Sequence, residues 1–246
     1  MSATPVPPAA PSFSTPAVLR DARPLGIEFR EVGKRFGAFW ALRRVSLRIA
    51  AGEFVLLRGP NGSGKSTLLK IAATLARPST GSVVYPGAED QDAAIIKARI
   101  GLVAHGTLLY DDLSAAENLR FFGGLYGLAD LASRVEAALV SVALSDRRDS
   151  LVRTFSRGMR QRLSLARAML HGPGLLLLDE PATGLDQQAR EWLDRTLESL
   201  HDAGCTVVMS THASEAASAA TRTLWLSSGR IVRDTAAPAS AEGVAQ

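Results

Sequence analysis

Apolar and polar residues alternate in Ile27-Glu-Phe-Arg-Glu-Val32 and in Val45-Ser-Leu-Arg-Ile49, the period of a strand with one buried face. The two segments bracket Phe36-Gly-Ala-Phe-Trp40, read as a loop, and are expected to pair antiparallel. Ala51-Gly52 then turns into Phe54-Val-Leu-Leu57, a fully apolar run suited to a strand covered on both faces. After it, Leu68, Ile71, Ala72 and Leu75 recur at helical spacing, one buried stripe of a helix that Pro78 helps to end. Residues 100 to 104 predict a short strand, and the chain from about 107 to 155 turns helical, with segments Ala115 to Tyr126 and Ala132 to Ala143. Strand and helix then alternate: Leu175 to Asp179, the helix Gln187 to Asp202, the strand Thr206 to Ser210 and a helix from about Ala213. Two last strands, Thr223 to Leu226 and Arg230 to Arg233, meet at Ser228-Gly229. The pattern predicts an α/β fold: a mainly parallel core sheet with helices on both faces, an antiparallel β subdomain and a helical subdomain.

The chemistry starts where the apolar strand ends. Gly59-Pro60-Asn61-Gly62-Ser63-Gly64-Lys65-Ser66-Thr67 fits G-x-x-x-x-G-K-[ST], in the strand-loop-helix context this pattern needs. Its glycines let consecutive backbone N–H groups curl toward a β-phosphate, and the start of the next helix adds favourable partial charge. Lys65 supplies a full positive charge to β/γ-phosphates and Ser66 a hydroxyl to Mg²⁺. The segment therefore implies a site for ATP or GTP.

Leu175-Leu-Leu-Leu-Asp179 is a buried strand ending in a carboxylate, followed at once by Glu180-Pro181. Asp179 is placed to hold Mg²⁺ through water at the strand's carboxyl end, and Glu180 to polarise a water against the γ-phosphate. Standing alone, both could be solvated loop acids. Phe155-Ser-Arg-Gly-Met-Arg-Gln-Arg162 opens a helix with Ser156 in an N-cap position, where a hydroxyl and backbone N–H groups make an anion site. Without its neighbours it would be an ordinary capped helix with an arginine-rich face.

In this order the motifs resemble those of the ATP-binding cassette (ABC) ATPases, over about residues 26 to 234. The resemblance implies a P-loop NTPase that uses ATP and Mg²⁺ and works as a head-to-tail homodimer or paired cassette. The family's Leu-Ser-Gly-Gly-Gln signature, which binds the γ-phosphate of ATP held by the opposite subunit, is matched here at Ser156 and Gly158, with Arg157 and Met159 departing from it. Thr183-Gly-Leu-Asp186 resembles the loop along the dimer interface, and His212 resembles the histidine that contacts the γ-phosphate, although a lone histidine after a strand also has a plain structural reading. Phe36 stands where the family stacks an aromatic ring on adenine, or it packs with Phe39 and Trp40.

One departure narrows the resemblance. Where most of these ATPases carry a Mg²⁺-contacting glutamine, twelve residues before Glu117, this chain has His105, whose imidazole cannot reproduce an amide's geometry. His105 is expected to serve coupling, with a metal contact as the alternative. Together with Glu117-Asn-Leu-Arg-Phe121 and the variant signature, it resembles the CcmA family, the ATP-binding subunits of the haem exporter of cytochrome c maturation. That likeness implies an ATPase powering haem export or delivery through separately encoded membrane subunits. Other readings are the ATPase of a different exporter of drugs, lipids or ions, and a non-transport ABC protein acting on DNA or ribosomes.

Composition adds three limits. With 46% hydrophobic residues in 246, the chain can bury a core, yet its longest purely aliphatic run, Leu175 to Leu178, is far short of the roughly 20 residues that span a bilayer. Membrane association is thus expected through a partner, and the expected location is cytoplasmic, peripheral on the inner face of the cell membrane. Cys205 is the only cysteine, which excludes an intrachain disulfide and fits a reducing cytosol. A net charge of +4 with scattered basic residues, four arginines between 157 and 167 being the densest stretch, does not by itself call for nucleic acid as a partner. Residues 1–24, with Pro5, Pro7, Pro8, Pro11, Pro16 and Pro24, and residues 236–246 read as disordered tails around one nucleotide-binding domain over 25–235, its helical subdomain near 107–158.

Overall fold

In β3 (Phe54–Arg58) every residue from Phe54 to Leu57 is buried, because the strand is sandwiched. Phe54 and Leu56 point into an apolar cluster shared with the helices, whereas Val55 and Leu57 point into a second cluster on the opposite face. The same division holds in β6 (Leu175–Asp179), whose four leucines are all at 0% exposure, each contributing about 1.5–3 kcal/mol by leaving water. The computed structural model describes residues 23–211 and 219–235. The expected tails and the helix from Ala213 fall outside these, apart from Arg23 and Pro24.

Six strands form the core sheet in the order β5-β6-β7-β3-β8-β9, where β5 is Ile100–Val103, β7 Thr206–Thr211, β8 Arg222–Ser227 and β9 Arg230–Asp234. All neighbours are parallel except the closing β8–β9 hairpin. Because β3, β6 and β7 run the same way, their carboxyl ends share one edge, and β7 lies between the other two. A separate antiparallel sheet has the order β2-β1-β4, from β1 (Ile27–Phe36), β2 (Phe39–Ile49) and β4 (Thr80–Val84).

Several expected boundaries move. Phe36 pairs with Phe39, so the expected loop of residues 36–40 is a turn of only Gly37 and Ala38. The helix α1 (Lys65–Ala72) stops because Thr74 adopts a left-handed φ of 59°, and Leu75 lies beyond it, 65% exposed, instead of on the buried stripe. Pro78 plays no part in that stop. Neither β4 nor the short α2 (Ala93–Lys97) has a pattern to announce it: β4 is mostly exposed and forms by pairing with β1, and α2 buries no residue.

Between β5 and β6 the chain runs through α3 (Ala115–Leu125), α4 (Leu131–Ser141), 3-10 turns at Ser145–Arg147 and Val152–Thr154, and α5 (Arg157–Met169). A capping box starts α3: the Glu117 amide donates to Ser114 Oγ at 3.2 Å and the Ser114 amide to Glu117 Oε2 at 2.8 Å. After β6 comes α6 (Gln187–Asp202), at the expected bounds. No helix among the described residues is long and apolar enough to cross a membrane.

Candidate functional site

From β3 the chain enters residues 59–64, where Gly62 and Gly64 take φ of 75° and 110°, a region that side chains with a Cβ enter only under strain. Helix α1 begins with no side-chain cap, so its first-turn amides are open to an anion lying in the loop. Lys65 is buried and its Nζ donates to the carbonyls of Gly59 (2.8 Å) and Pro60 (3.3 Å). Burial pushes its ammonium below the usual lysine range, opposed by the carboxylates of Glu180 and Asp179. Ser63 Oγ is buried with no hydrogen-bond partner, an unsatisfied polar atom that a phosphate oxygen would fit.

Two strands away, β6 delivers Asp179 and Glu180 to the same edge. Asp179 is buried and accepts from Ser210 Oγ at 2.7 Å, while the Glu180 amide donates to the same Ser210 oxygen at 3.0 Å. Glu180 sits at φ 53°, an uncommon conformation for a side chain of its size, and its Oε1 comes within 3.9 Å of Lys65 Nζ. Ser210, which pattern reading passed over as the end of an apolar strand, ties the two acids to β7. Its signal was register: in parallel pairing Ser210 stands opposite Asp179.

Lys65 and Glu180 face one open cleft of about 450 Å³ lined also by Phe36, Phe39, Ala41, Asn61, Gly62, Gly64, Ser66, Thr67 and His105, whereas Asp179, Ser210 and Ser63 are not among its lining residues. Phe36 and Phe39 are 56% and 61% exposed, so two rings, not one, present surface to a planar base, with Lys34 Nζ over the Phe36 ring at 5.2 Å from its centroid. His105 lines the cleft itself. The arrangement can hold a polyphosphate at Lys65 and the loop amides, with a carboxylate beside the far end. For Mg²⁺ the fitting groups are Ser66 and Asp179, since this ion is held by one or two protein oxygens plus substrate phosphates. His212 lies outside the described residues.

Ser156, Gly158 and Asp186 do not line this cleft. Ser156 caps α5 by accepting the Met159 amide at 3.2 Å, and Asp186 caps α6 by accepting the Ala189 amide at 2.8 Å. The two helix starts are joined: a Cβ on Gly158 would sit 3.6 Å from Ala189 Cβ, and one on Gly184 would run into the Arg157 guanidinium. The remaining arginines of α5 are also engaged. Arg160 pairs with Asp111 at 2.6 Å, Arg162 lies 5.2 Å from the Trp192 ring centroid, and Arg167 donates to the Leu102 carbonyl at 2.7 Å.

The sequence profile described as "ABC transporter" matches residues 42–183, more than half of the chain. The chain belongs to this family. It is 40% identical over 194 residues to the Nod factor export ATP-binding protein I of Cupriavidus metallidurans, covering 78% of this chain and 64% of that one. With the ABC transporter ATP-binding protein NatA of Bacillus subtilis it shares 39% over 179 residues, covering 71% and 73%. Among solved structures, the dimeric post-hydrolysis state of the ATP-binding cassette MJ0796 bound to ADP and Pi superposes with a TM-score of 0.77, at 31% identity, over 85% of this cassette and 97% of that one.

Proposed function

We propose that this cassette binds and hydrolyses Mg·ATP as the motor of an ABC transporter. The observation that carries the reading is Glu180 held beside Lys65 at the mouth of the phosphate loop, with Asp179 fixed behind it by Ser210. Lys65 would exchange its loop carbonyls for β/γ-phosphate oxygens, the α1 amides would take the β-phosphate, and Phe36 and Phe39 would lie against adenine. Mg²⁺, held by Ser66 and Asp179, would supply neutralisation of phosphate charge. Glu180 would orient the attacking water and take its proton. His105, which lines the cleft, would serve coupling or meet the metal ion, and His212 is proposed, on the family resemblance, for the γ-phosphate.

Ser156 and Gly158 sit away from their own chain's cleft, which fits a second copy supplying them to complete the site. Transfer of the work to a membrane subunit is supported by exposed apolar side chains that follow His105 in the chain, Leu108 and Tyr110, with the exposed Phe121 ring 5.0 Å from that of Tyr110. The cassette would then lie on the cytoplasmic face of the membrane. Glu180→Gln is expected to lower turnover by about a hundredfold or more and to trap an ATP-bound dimer on size exclusion, and Lys65→Ala to abolish turnover in a folded protein. A monomeric Glu180→Gln protein with undiminished hydrolysis would defeat this reading.

For cargo, the proposal is haem export or delivery in c-type cytochrome maturation, supported by His105 in place of glutamine and by the Phe155 to Met159 signature. A second reading, export of another cargo, is supported by the relative named for Nod factor export. Peroxidase staining of denatured protein from a deletion strain separates them. Loss of c-type cytochromes with b-type retained supports haem, and normal c-type cytochromes leave the other exporter.

A further inference from the structure

A second cavity, of about 520 Å³, opens against the antiparallel sheet and the start of β9 and shares no lining residue with the nucleotide cleft. Glu31, Trp40, Arg43, Arg44, Thr80 and Arg230 line it, three guanidinium groups against one carboxylate. Arg44 Nε is spent on Glu31 Oε2 at 2.6 Å, and Glu31 Oε1 also accepts from Ser46 Oγ at 2.7 Å. Arg43 and Arg230 have neither an ion pair nor a side-chain hydrogen bond among the described residues. The Arg43 amide bonds to the Gly229 carbonyl at 2.8 Å, which brings β2 against the β8–β9 turn, and Arg43 and Arg230 both line the cavity.

The backbone here is shaped at some strain. Glu31 and Arg44 hold φ of 51° and 50°, and the pairing of β1 with β2 shifts register between Phe29 and Val32. At Gly33 an added Cβ would stand 2.9 Å from the Trp40 ring, so the bare backbone seats the indole, and the Arg35 guanidinium, which does not line the cavity, also lies over that ring at 5.8 Å from its centroid. Phe39 and Ala41 line the nucleotide cleft while Trp40, Arg43 and Arg44 line this cavity; strict alternation would part Trp40 from Arg43, and the irregular register of β1 with β2, with Arg44 at φ 50°, accompanies their meeting on one side.

We propose that this cavity is a second site, for a mononucleotide-class ligand, with its planar ring against Trp40 and its phosphate dianion between Arg43 and Arg230. Guanidinium groups match phosphate oxygens in geometry as well as charge, and an indole face offers a stacking surface. The volume lies within the roughly 300–1,000 Å³ of small-molecule sites, which favours a small anion over a protein segment. The site is independent of the ATPase reading, because it uses none of the residues assigned to hydrolysis.

The test titrates AMP into the full chain. AMP lacks the phosphates that Lys65 is placed to hold. Wild type and Lys65→Ala are expected to bind AMP equally, Arg43→Ser/Arg230→Ser to lose about tenfold or more, and Arg230→Ser and Trp40→Leu alone to lose several-fold. Adenosine and inorganic phosphate should each bind about tenfold more weakly than AMP. Circular dichroism and Mg·ATP turnover report whether each arginine and tryptophan variant is folded. Equal AMP binding by the arginine variants, loss in Lys65→Ala, or no saturable AMP binding would overturn the site. Arginine-dependent binding of a glutamate-rich peptide without AMP binding would also overturn it, in favour of acidic protein docking.

Discussion

Ser210 Oγ donates to Asp179 Oδ1 at 2.7 Å, a buried bond between the ends of two parallel strands. The same oxygen accepts the Glu180 amide, so one hydroxyl sets the direction of both acids. Ser210→Ala would leave a buried carboxylate oxygen and an amide without this partner, at a cost of about 1–3 kcal/mol. We expect a lowered urea midpoint together with about a tenfold fall in kcat, as Glu180 loses its fixed approach to the phosphate end. Unchanged kcat at wild-type stability would show that Ser210 positions nothing.

The joint between α5 and the loop before α6 gives a second test. Gly184 holds φ 68°, and the Arg157 guanidinium occupies the space where its Cβ would be. Gly184→Ala is expected to destabilise the fold by about 1–3 kcal/mol, from backbone strain and displacement of Arg157 together. In Arg157→Ala/Gly184→Ala the displacement part disappears while the strain remains. A double-mutant cycle should therefore return a favourable coupling of about 0.5 kcal/mol or more. Strict additivity would mean that Arg157 yields freely.

The phosphate loop and the two acids were legible in the sequence because their chemistry ties residue type to a strand end, and the strands themselves were legible from Leu175–Leu178 and Phe54–Leu57. What escaped has physical causes. β4 exists only by pairing with β1, and its mostly exposed residues carry no alternation. The end of α1 is set by Thr74 in a left-handed turn, a conformation that threonine does not advertise. Ser210 is one polar residue in a buried strand, and its role appears only with the register against β6. The seat of Trp40 required knowing that β1 is bare at Gly33.

The separation of Ser156 from its own cleft predicts complementation between chains. Lys65→Ala and Ser156→Arg proteins are each expected to be inactive. Mixed at equal concentration, about half of randomly formed pairs contain one of each, and such a pair holds one intact composite site. Recovery to about a quarter of wild-type turnover should follow if the two sites act independently. Heterodimers present on a sizing column without any recovered turnover would refute independent shared sites.

The last prediction concerns the edge of the core sheet, where β5 leads to His105. There His171 stacks on Tyr126, ring centroids 4.1 Å apart, and its Nε2 donates to the Ile100 carbonyl at 3.2 Å. Burial pushes its imidazole down to about 4, opposed by the bond to Ile100 and reinforced by the nearby charge of Arg167. In the unfolded chain the group returns to about 6.5. Between these values the unfolded state binds a proton that the folded state refuses, so stability rises with pH across this window and falls as the solution is acidified. The contribution is fully present above about pH 6.5, and on the order of 2 kcal/mol of it should be lost between pH 7.5 and 5. Urea midpoints at those two pH values measure it in wild type and in His171→Gln, which keeps a donor without the titration. The variant should show a clearly shallower dependence. Equal slopes in both proteins would assign the acid sensitivity elsewhere, and would mean that β5 keeps its packing with His171 charged.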